Sequence, residues 1–204
     1  MSVYKTEDGG LTWGTRRDLM TNDGVCYDIA VAQSNELIVY AVGCEGYYYN
    51  GYGKVFRSLT AGNVWLDATN NLSSFHTGYW YVYSVLVHPY DASKVFVGTS
   101  KGVFLSTNAG VTWSSTTLNQ STKALAYDIR TNTLYAGTES NGVWCTNNDG
   151  GVWGAMNSGL ENQNCLCLGI DTTNNYLFVG TNGSGVCRIS IAQTGTSPVW
   201  ELYK

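Results

Sequence analysis

The sequence predicts an all-β protein, a β-propeller of about four and a half four-stranded antiparallel blades. The first observation is a repeat, because tryptophans recur about 40 to 50 residues apart, which is the usual length of one propeller blade. They are Trp13, Trp65, Trp113, Trp153 and Trp200. The second observation is composition: charged residues make up only 13% of the chain, whereas 24 glycines and 15 tyrosines favour short strands and tight turns over helices.

The middle tryptophans each close the same local pattern. A strand is followed by a short apolar strand ending in Gly, then by a Gly-Val-aromatic strand, and then by a Gly turn before the Trp. In the third unit these segments are residues 81–87, 94–98, 102–106 and 110–113. We therefore divide a single propeller domain, residues 1–204, into a half blade at 1–20 and blades at 21–70, 71–118, 119–158 and 159–204.

The turn before the first of these tryptophans reads Thr6-Glu-Asp8-Gly-Gly10-Leu-Thr12-Trp13. Residues 106–113 and 146–153 repeat it with Asn for Asp, and residues 58–65 have Thr at that position. These turns resemble the Asp box of the BNR-repeat family, Ser/Thr-x-Asp-x-Gly-x-Thr-Trp.

In such a turn the acid or amide bonds backbone N–H groups, Gly supplies a positive φ, and Trp packs on the sheet. We expect Trp113, in a well-preserved copy, to be largely buried between blades. A structural role is expected for Asp8, Gly10, Trp13, Gly62, Trp65, Asn108, Gly110, Trp113, Asn148, Gly150 and Trp153.

The N-terminal segment matches only part of a blade. Residues 2–13 correspond to the outer two strands, and Trp200 already ends another blade. Propellers remove exposed strand edges by joining their first and last blades. We therefore expect that the chain does not close a ring by itself, and that another chain or a longer parent polypeptide covers these edges.

Charge and cysteine usage exclude several classes of function. The net charge is −4 and no block of basic residues occurs, which argues against a nucleic-acid partner. No stretch reaches the length of a membrane helix, and the N-terminus lacks the apolar run of a signal peptide. The six cysteines form no CxxC pair, so we predict no metal and no cofactor. They are expected to be small buried strand residues, with disulfides between strands as the alternative.

The resemblance implies several activities among which the fold does not choose: sialidases, xyloglucan-type glycoside hydrolases, sortilin-like receptors and photosystem assembly factors use such blades. Sialidases need three arginines and an Arg-Ile-Pro motif, and this chain has five arginines and no such motif. Other glycosidases need two carboxylates facing one cleft. Glu45, Asp67 and Asp91 are candidates, but no motif marks them. Catalysis is therefore not expected, and a fragment of an Asp-box glycoside hydrolase is the alternative.

The second unit departs from the repeat through two aromatic segments, one between its second and third strands and one after its Trp. In a four-stranded blade both emerge on the same side, where rings with polar tips suit a sugar or a protein partner. In the alternative interpretation the rings fold back over their own blade. The candidate binding residues are Tyr47, Tyr48, Tyr49, Tyr52, Phe75, His76, Tyr79 and Trp80.

These observations predict a non-catalytic interaction or structural propeller outside the cell or on its surface. Its expected partner is a glycan or a protein, including copies of itself. Neither nucleic acid nor insertion into a membrane is expected.

Overall fold

The computed structural model describes residues 1–20, 24–46, 51–191 and 198–203 of the chain. These residues form eighteen strands and one 3₁₀ helix, Asn70–Phe75. The predicted all-β class is confirmed, and so are the four-stranded antiparallel blades. Among the described residues, no helix is long and apolar enough to cross a membrane.

Strands pair in chain order within each sheet, so consecutive strands are neighbours throughout. A two-stranded sheet, here called the half blade, contains β1 (Ser2–Val3) and β2 (Arg17–Asp18). Blade 1 contains β3 (Gly24–Val31), β4 (Val39–Glu45), β5 (Tyr52–Ser58) and β6 (Leu66–Asp67).

The remaining three blades follow the same order. Blade 2 contains β7 (Val82–His88), β8 (Asp91–Thr99), β9 (Gly102–Ser106) and β10 (Ser114–Ser115). Blade 3 contains β11 (Thr122–Asp128), β12 (Thr133–Thr138), β13 (Val143–Thr146) and β14 (Gly154–Ala155). Blade 4 contains β15 (Cys165–Asp171), β16 (Tyr176–Thr181), β17 (Gly185–Ser190) and β18 (Glu201–Leu202).

The chain divides into two compact units. The first contains Met1–Phe96 and Ser106–Ser114, and the second contains Val97–Leu105 and Ser115–Lys204. In the first unit, β7 packs against β3 and β4, and the half blade packs on blade 1 through a cluster that includes Met1, Met20 and Phe56. In the second unit, β15 packs in the same way against β11 and β12. The first strand of blade 2 therefore covers the first two strands of blade 1, and the first strand of blade 4 covers the first two strands of blade 3.

A β-bulge interrupts the first strand pair of blades 1, 3 and 4. In blade 1 the register shifts between Cys26 and Asp28, so that Tyr27 lies between two aligned stretches. Tyr27 consequently contacts Tyr83, with ring centroids 5.5 Å apart. Strict alternation would have placed Tyr27 on the same face as Ile29, and the bulge removes it from that face.

The predicted Asp-box turns share one hydrogen-bond pattern. In the copy at residues 106–113, the amide of Gly110 donates to the Ser106 hydroxyl at 2.8 Å, and the amide of Thr112 donates to Asn108 Oδ1 at 2.8 Å. The copies built on Asp8 and Asn148 have the same two bonds. Where Thr60 replaces the acid, its hydroxyl accepts the second bond instead.

Glycine closes each of these turns. Gly10, Gly62, Gly110 and Gly150 have φ between 79° and 96°, which is the left-handed region that side chains rarely adopt. Three bonds from Thr12 and Thr6 to the Asp8 carboxylate lower the pKa of that carboxyl to about 2. The acid of this exposed turn therefore stays ionised, and its bonds stay intact, over the whole neutral and mildly acidic range.

The tryptophans of these turns differ in burial. Trp113 is 2% exposed, as predicted, and its indole N–H donates to the carbonyl of Ala68, just after β6. Trp200 donates to Met156, just after β14, in the corresponding way. Trp13 is 62% exposed, so its predicted packing on a sheet is wrong. The described chain has no blade ahead of the half blade for this ring to pack against.

The cysteines fit the sequence prediction only in part. All six are free thiols, and Cys44, Cys165 and Cys187 are buried, as predicted. Burial raises the pKa of Cys165 to about 11, so this thiol is unreactive at neutral pH. Cys26 and Cys167 are exposed, which corrects the expectation that every cysteine is a buried strand residue.

Candidate functional site

The candidate site lies at the end of blade 1 where β4 leads into β5. Tyr47, Tyr48 and Tyr49 lie outside the described residues. Tyr52 opens β5, and the second aromatic segment begins at the end of the 3₁₀ helix and leads into β7. Both segments belong to the first unit.

Two of the predicted tyrosines form an exposed pair. Tyr52 is 54% exposed and Tyr79 is 50% exposed, and their rings meet edge to face with centroids 5.9 Å apart. This contact fixes one ring against the other while leaving much of each surface in solvent. Phe75, also from the predicted set, is 45% exposed. The structure thus brings together one tyrosine from each aromatic segment, here called the tyrosine pair.

Trp80 differs from the expectation that it is an exposed binding residue. It is 2% exposed, and its ring lies over Gly53, where an added Cβ would come within 2.3 Å of the indole. The His76 ring lies against the indole, with centroids 4.0 Å apart. A large ring on this side of blade 1 needs the space left by a glycine, so Trp80 is a core residue. His76 is half-buried beside it.

A cleft of about 540 Å³ opens beside Tyr52, one member of the tyrosine pair. Trp80 lies at the cleft, as do Tyr52 and Ser73, and three charged side chains line it. The ammonium of Lys54 lies 3.0 Å from Asp67 Oδ2 and 3.6 Å from Glu45 Oε2. One cation is thus shared by two carboxylates that the sequence separates by a strand and a turn.

Local contacts hold Asp67 and Lys54 ionised. Burial acts to raise the pKa of Asp67, but hydrogen bonds from Thr69 and the nearby Lys54 outweigh it, so the pKa lies below its ordinary value. Burial acts to lower the pKa of Lys54, but the contacts with Asp67 and Glu45 outweigh it and the pKa is raised. The cleft therefore presents a fixed arrangement of charged donors and acceptors near neutral pH.

Strand register explains why sequence analysis did not group these residues. Glu45 lies opposite Tyr52, and Asp67 lies opposite Phe56, with Lys54 midway between them on β5. Residues two apart on a strand share a face, so Lys54 and Tyr52 lie on the same face of β5. The sequence signal for this grouping was the alternation of Tyr52, Lys54 and Phe56. Without the β5–β6 register, that alternation alone did not predict that Lys54 contacts Asp67. Asp91 is not part of the cleft; it accepts hydrogen bonds from Ser93 at the start of β8 instead.

Comparison with known proteins identifies the fold. No family model and no curated protein matches the sequence. Among solved structures, a GH74 xyloglucanase from Xanthomonas campestris matches 88% of this chain and 30% of its own, with a TM-score of 0.63 and 14% identity. YCF48 bound to D1 peptide matches 89% of this chain and 56% of its own, with a TM-score of 0.61 and 14% identity.

A third structure is the extracellular domain of a two-component system protein from B. thetaiotaomicron. It matches 92% of this chain and 24% of its own, with a TM-score of 0.66 and 20% identity. The chain thus spans less than a third of the GH74 enzyme and about half of YCF48. At these identities the likeness shows the architecture alone, and the chain shares the β-propeller fold of these proteins.

Proposed function

We propose that this chain is a non-catalytic binding module whose cleft beside the tyrosine pair takes a carbohydrate. One observation carries the proposal: the exposed ring of Tyr52, which contacts Tyr79, lines a cleft in which Lys54 is held between Glu45 and Asp67. Binding sites combine apolar and aromatic surface with a few placed polar groups. Tyrosine rings stack on the apolar face of a sugar, while ammonium and carboxylate groups bond its hydroxyls.

The cleft also contains the feature that would favour a glycosidase, namely two carboxylates close together in an open site. A glycosidase needs one of its carboxyls to be a proton donor, with a pKa raised towards neutrality. Asp67 departs from this requirement in the opposite direction, because hydrogen bonds from Thr69 and the charge of Lys54 lower the pKa of its carboxyl. This opposes the alternative, a fragment of a glycoside hydrolase, and supports binding without cleavage.

The similar structures support parts of the proposal that the cleft alone does not. A GH74 xyloglucanase among the similar folds agrees with a carbohydrate ligand, and the extracellular domain among them agrees with a location outside the cell or on its surface. YCF48 bound to a peptide makes a protein partner the second candidate. Assembly with other chains is the last part of the proposed role.

Removal of the tyrosine pair tests the proposal. In affinity gels that contain xyloglucan or other soluble polysaccharides, we expect the wild-type chain to be retarded by at least one glycan. The double variant Tyr52→Ala/Tyr79→Ala loses two stacking surfaces, so its binding should weaken by about 1–3 kcal/mol. Tyr90→Ala is the matched control, because Tyr90 is 76% exposed and does not line the cleft. Equal retardation of wild type and double variant, or no retardation by any glycan, would contradict the proposal.

Binding should not depend on pH in the neutral range. Because the pKa of Asp67 is lowered and that of Lys54 is raised, both stay charged from about pH 5 to about pH 8. We expect affinity for the retained glycan to be constant over this range and to fall only when acid protonates Asp67. A bell-shaped dependence centred in this range would instead indicate a titrating acid–base pair.

A further inference from the structure

The cleft beside Tyr52 carries more negative than positive charge. Three of the described residues that line it are charged, Glu45, Lys54 and Asp67, so one positive charge faces two negative charges. The ammonium of Lys54 lies 3.0 Å from the Asp67 carboxylate and 3.6 Å from the Glu45 carboxylate. A ligand with an anionic group would therefore meet a cation that two carboxylates already share, and a net negative charge around it.

The exposure of these three side chains determines which of them a ligand can reach. The Lys54 side chain is 23% exposed, whereas those of Glu45 and Asp67 are 34% and 46% exposed. Both carboxylates are thus more open to solvent than the cation that they flank. The cleft therefore offers a ligand carboxylate oxygens more readily than it offers the ammonium.

Uncharged donors that line the cleft are directed at the protein itself. The side-chain amide of Asn70 donates to the carbonyl of Gly110 at 2.8 Å, and the hydroxyl of Ser73 donates to the carbonyl of Asn70 at 3.2 Å. An ionised carboxylate or a sulfate accepts hydrogen bonds and has none to donate, whereas a sugar hydroxyl can donate. The cleft is therefore rich in acceptors and suits a ligand that brings donors.

We propose that the cleft selects uncharged sugars and rejects sugars that carry a carboxylate or a sulfate, and that Glu45 and Asp67 determine this selection. Neighbouring hydroxyls of an uncharged sugar donate to the carboxylate oxygens while its ring packs against Tyr52. The carboxylate of an acidic sugar would instead lie beside two carboxylates of the protein, and like charges in contact are unfavourable. This inference rests on the proposed function and names the class of sugar that the cleft binds.

Matched pairs of polymers test the selection. Xyloglucan, mixed-linkage β-glucan and galactomannan are each coupled to beads, in their neutral form and after oxidation of their primary hydroxyls to carboxylates. The oxidation adds negative charge and leaves the linkages of the backbone intact. Depletion of the protein from solution gives the dissociation constants. At low ionic strength the wild-type chain should bind the oxidised form of any polymer that it retains at least about tenfold more weakly than the neutral form.

The double variant Glu45→Gln/Asp67→Asn reverses the net charge of the cleft. It removes two negative charges and leaves the cation of Lys54 without either partner, so the oxidised polymer should bind at least as tightly as the neutral one. Both side chains are partly exposed, and an amide oxygen at position 67 can still accept the bond from the Thr69 amide. The variant should therefore fold, which circular dichroism can verify.

A matched control separates the charge of the cleft from the charge of the whole chain. Glu139 pairs with Lys123 at 3.2 Å and Glu201 pairs with Arg188 at 2.6 Å, and neither glutamate lines the cleft. Glu139→Gln/Glu201→Gln therefore removes the same number of negative charges from partly exposed ion pairs elsewhere. This control should keep the wild-type preference for the neutral polymer.

The outcomes distinguish this inference from the proposed function. Equal binding of neutral and oxidised polymers by the wild type, or a preference for the neutral polymer that persists in Glu45→Gln/Asp67→Asn, overturns the selection and leaves carbohydrate binding intact. Loss of the preference in the control variant also overturns it, because the net charge of the chain would then be the cause. No retention of any polymer by the wild type overturns the proposed function and this inference with it.

Discussion

Trp113→Ala is expected to lower the free energy of unfolding by about 3–5 kcal/mol, the largest effect of any substitution considered. The indole is 2% exposed, and its N–H donates to the Ala68 carbonyl at 2.9 Å. The Trp113 backbone also bonds the Asn71 side chain through both its amide and its carbonyl. Truncation removes the ring that joins the Asp-box turn of blade 2 to the end of blade 1 and leaves a cavity and an unpaired carbonyl.

Chemical denaturation of wild type and variant measures this loss. Trp13→Ala is the matched control, because the same residue in the same motif is 62% exposed, so its effect should be within about 0.5 kcal/mol. A Trp113→Ala curve that overlies the wild-type curve, or equal losses for the two tryptophans, would refute the role of Trp113 as the joint between these blades.

Arg130→Met is expected to lower the free energy of unfolding markedly, because it separates an ion pair whose carboxylate is buried. The Asp128 carboxylate is fully buried, and Arg130 bonds both its oxygens at 2.9 and 2.8 Å. The same guanidinium also donates to Thr172 and Asn175 in the turn between β15 and β16. Loss of the guanidinium leaves a buried carboxylate without its charged partner, although the backbone amide of residue 130 still donates to it, and removes a link between blades 3 and 4.

A pH series also tests the Asp128–Arg130 pair, because the lowered pKa of Asp128 determines in which direction stability should change with pH. Hydrogen bonds from Arg130 outweigh burial and lower the pKa of Asp128, so the pair stabilises the fold above about pH 4. As pH falls through the lowered pKa, Asp128 protonates and this contribution is lost. The gap in stability between wild type and Arg130→Met should therefore narrow in acid. Arg16→Met, at an exposed ion pair with Asp18, is the control, and its effect on stability should be much smaller than that of Arg130→Met at neutral pH.

The sequence was sufficient to predict the blade architecture because the repeat is carried by local chemistry. Each Asp-box turn closes through bonds between residues four apart, such as Thr112 to Asn108, and needs no distant partner. The spacing of the tryptophans then gives the number of blades. Burial of Trp113 followed from the same pattern, because a blade precedes its turn.

The candidate site was predictable only in part, because it depends on register and packing between segments distant in sequence. Tyr52 and Tyr79 met as the two-segment argument predicted. Trp80 did not join them, since Gly53 leaves a space under β5 that the indole fills. The position of Lys54 between two carboxylates follows only from the alignment of β4, β5 and β6. The bulge at Tyr27 could not be predicted either, because the alternation of residues along β3 does not reveal it.

The central claim, that the cleft binds a carbohydrate without cleaving it, is tested most directly by equilibrium dialysis against an oligosaccharide of the glycan retained in the gels. Mass spectrometry of the sugar recovered from the protein compartment reports binding and cleavage together. The account predicts that the wild-type chain concentrates the oligosaccharide, that Tyr52→Ala/Tyr79→Ala does not, and that the recovered sugar keeps its full mass. Equal concentration by both proteins, or recovery of shortened sugar, would contradict it.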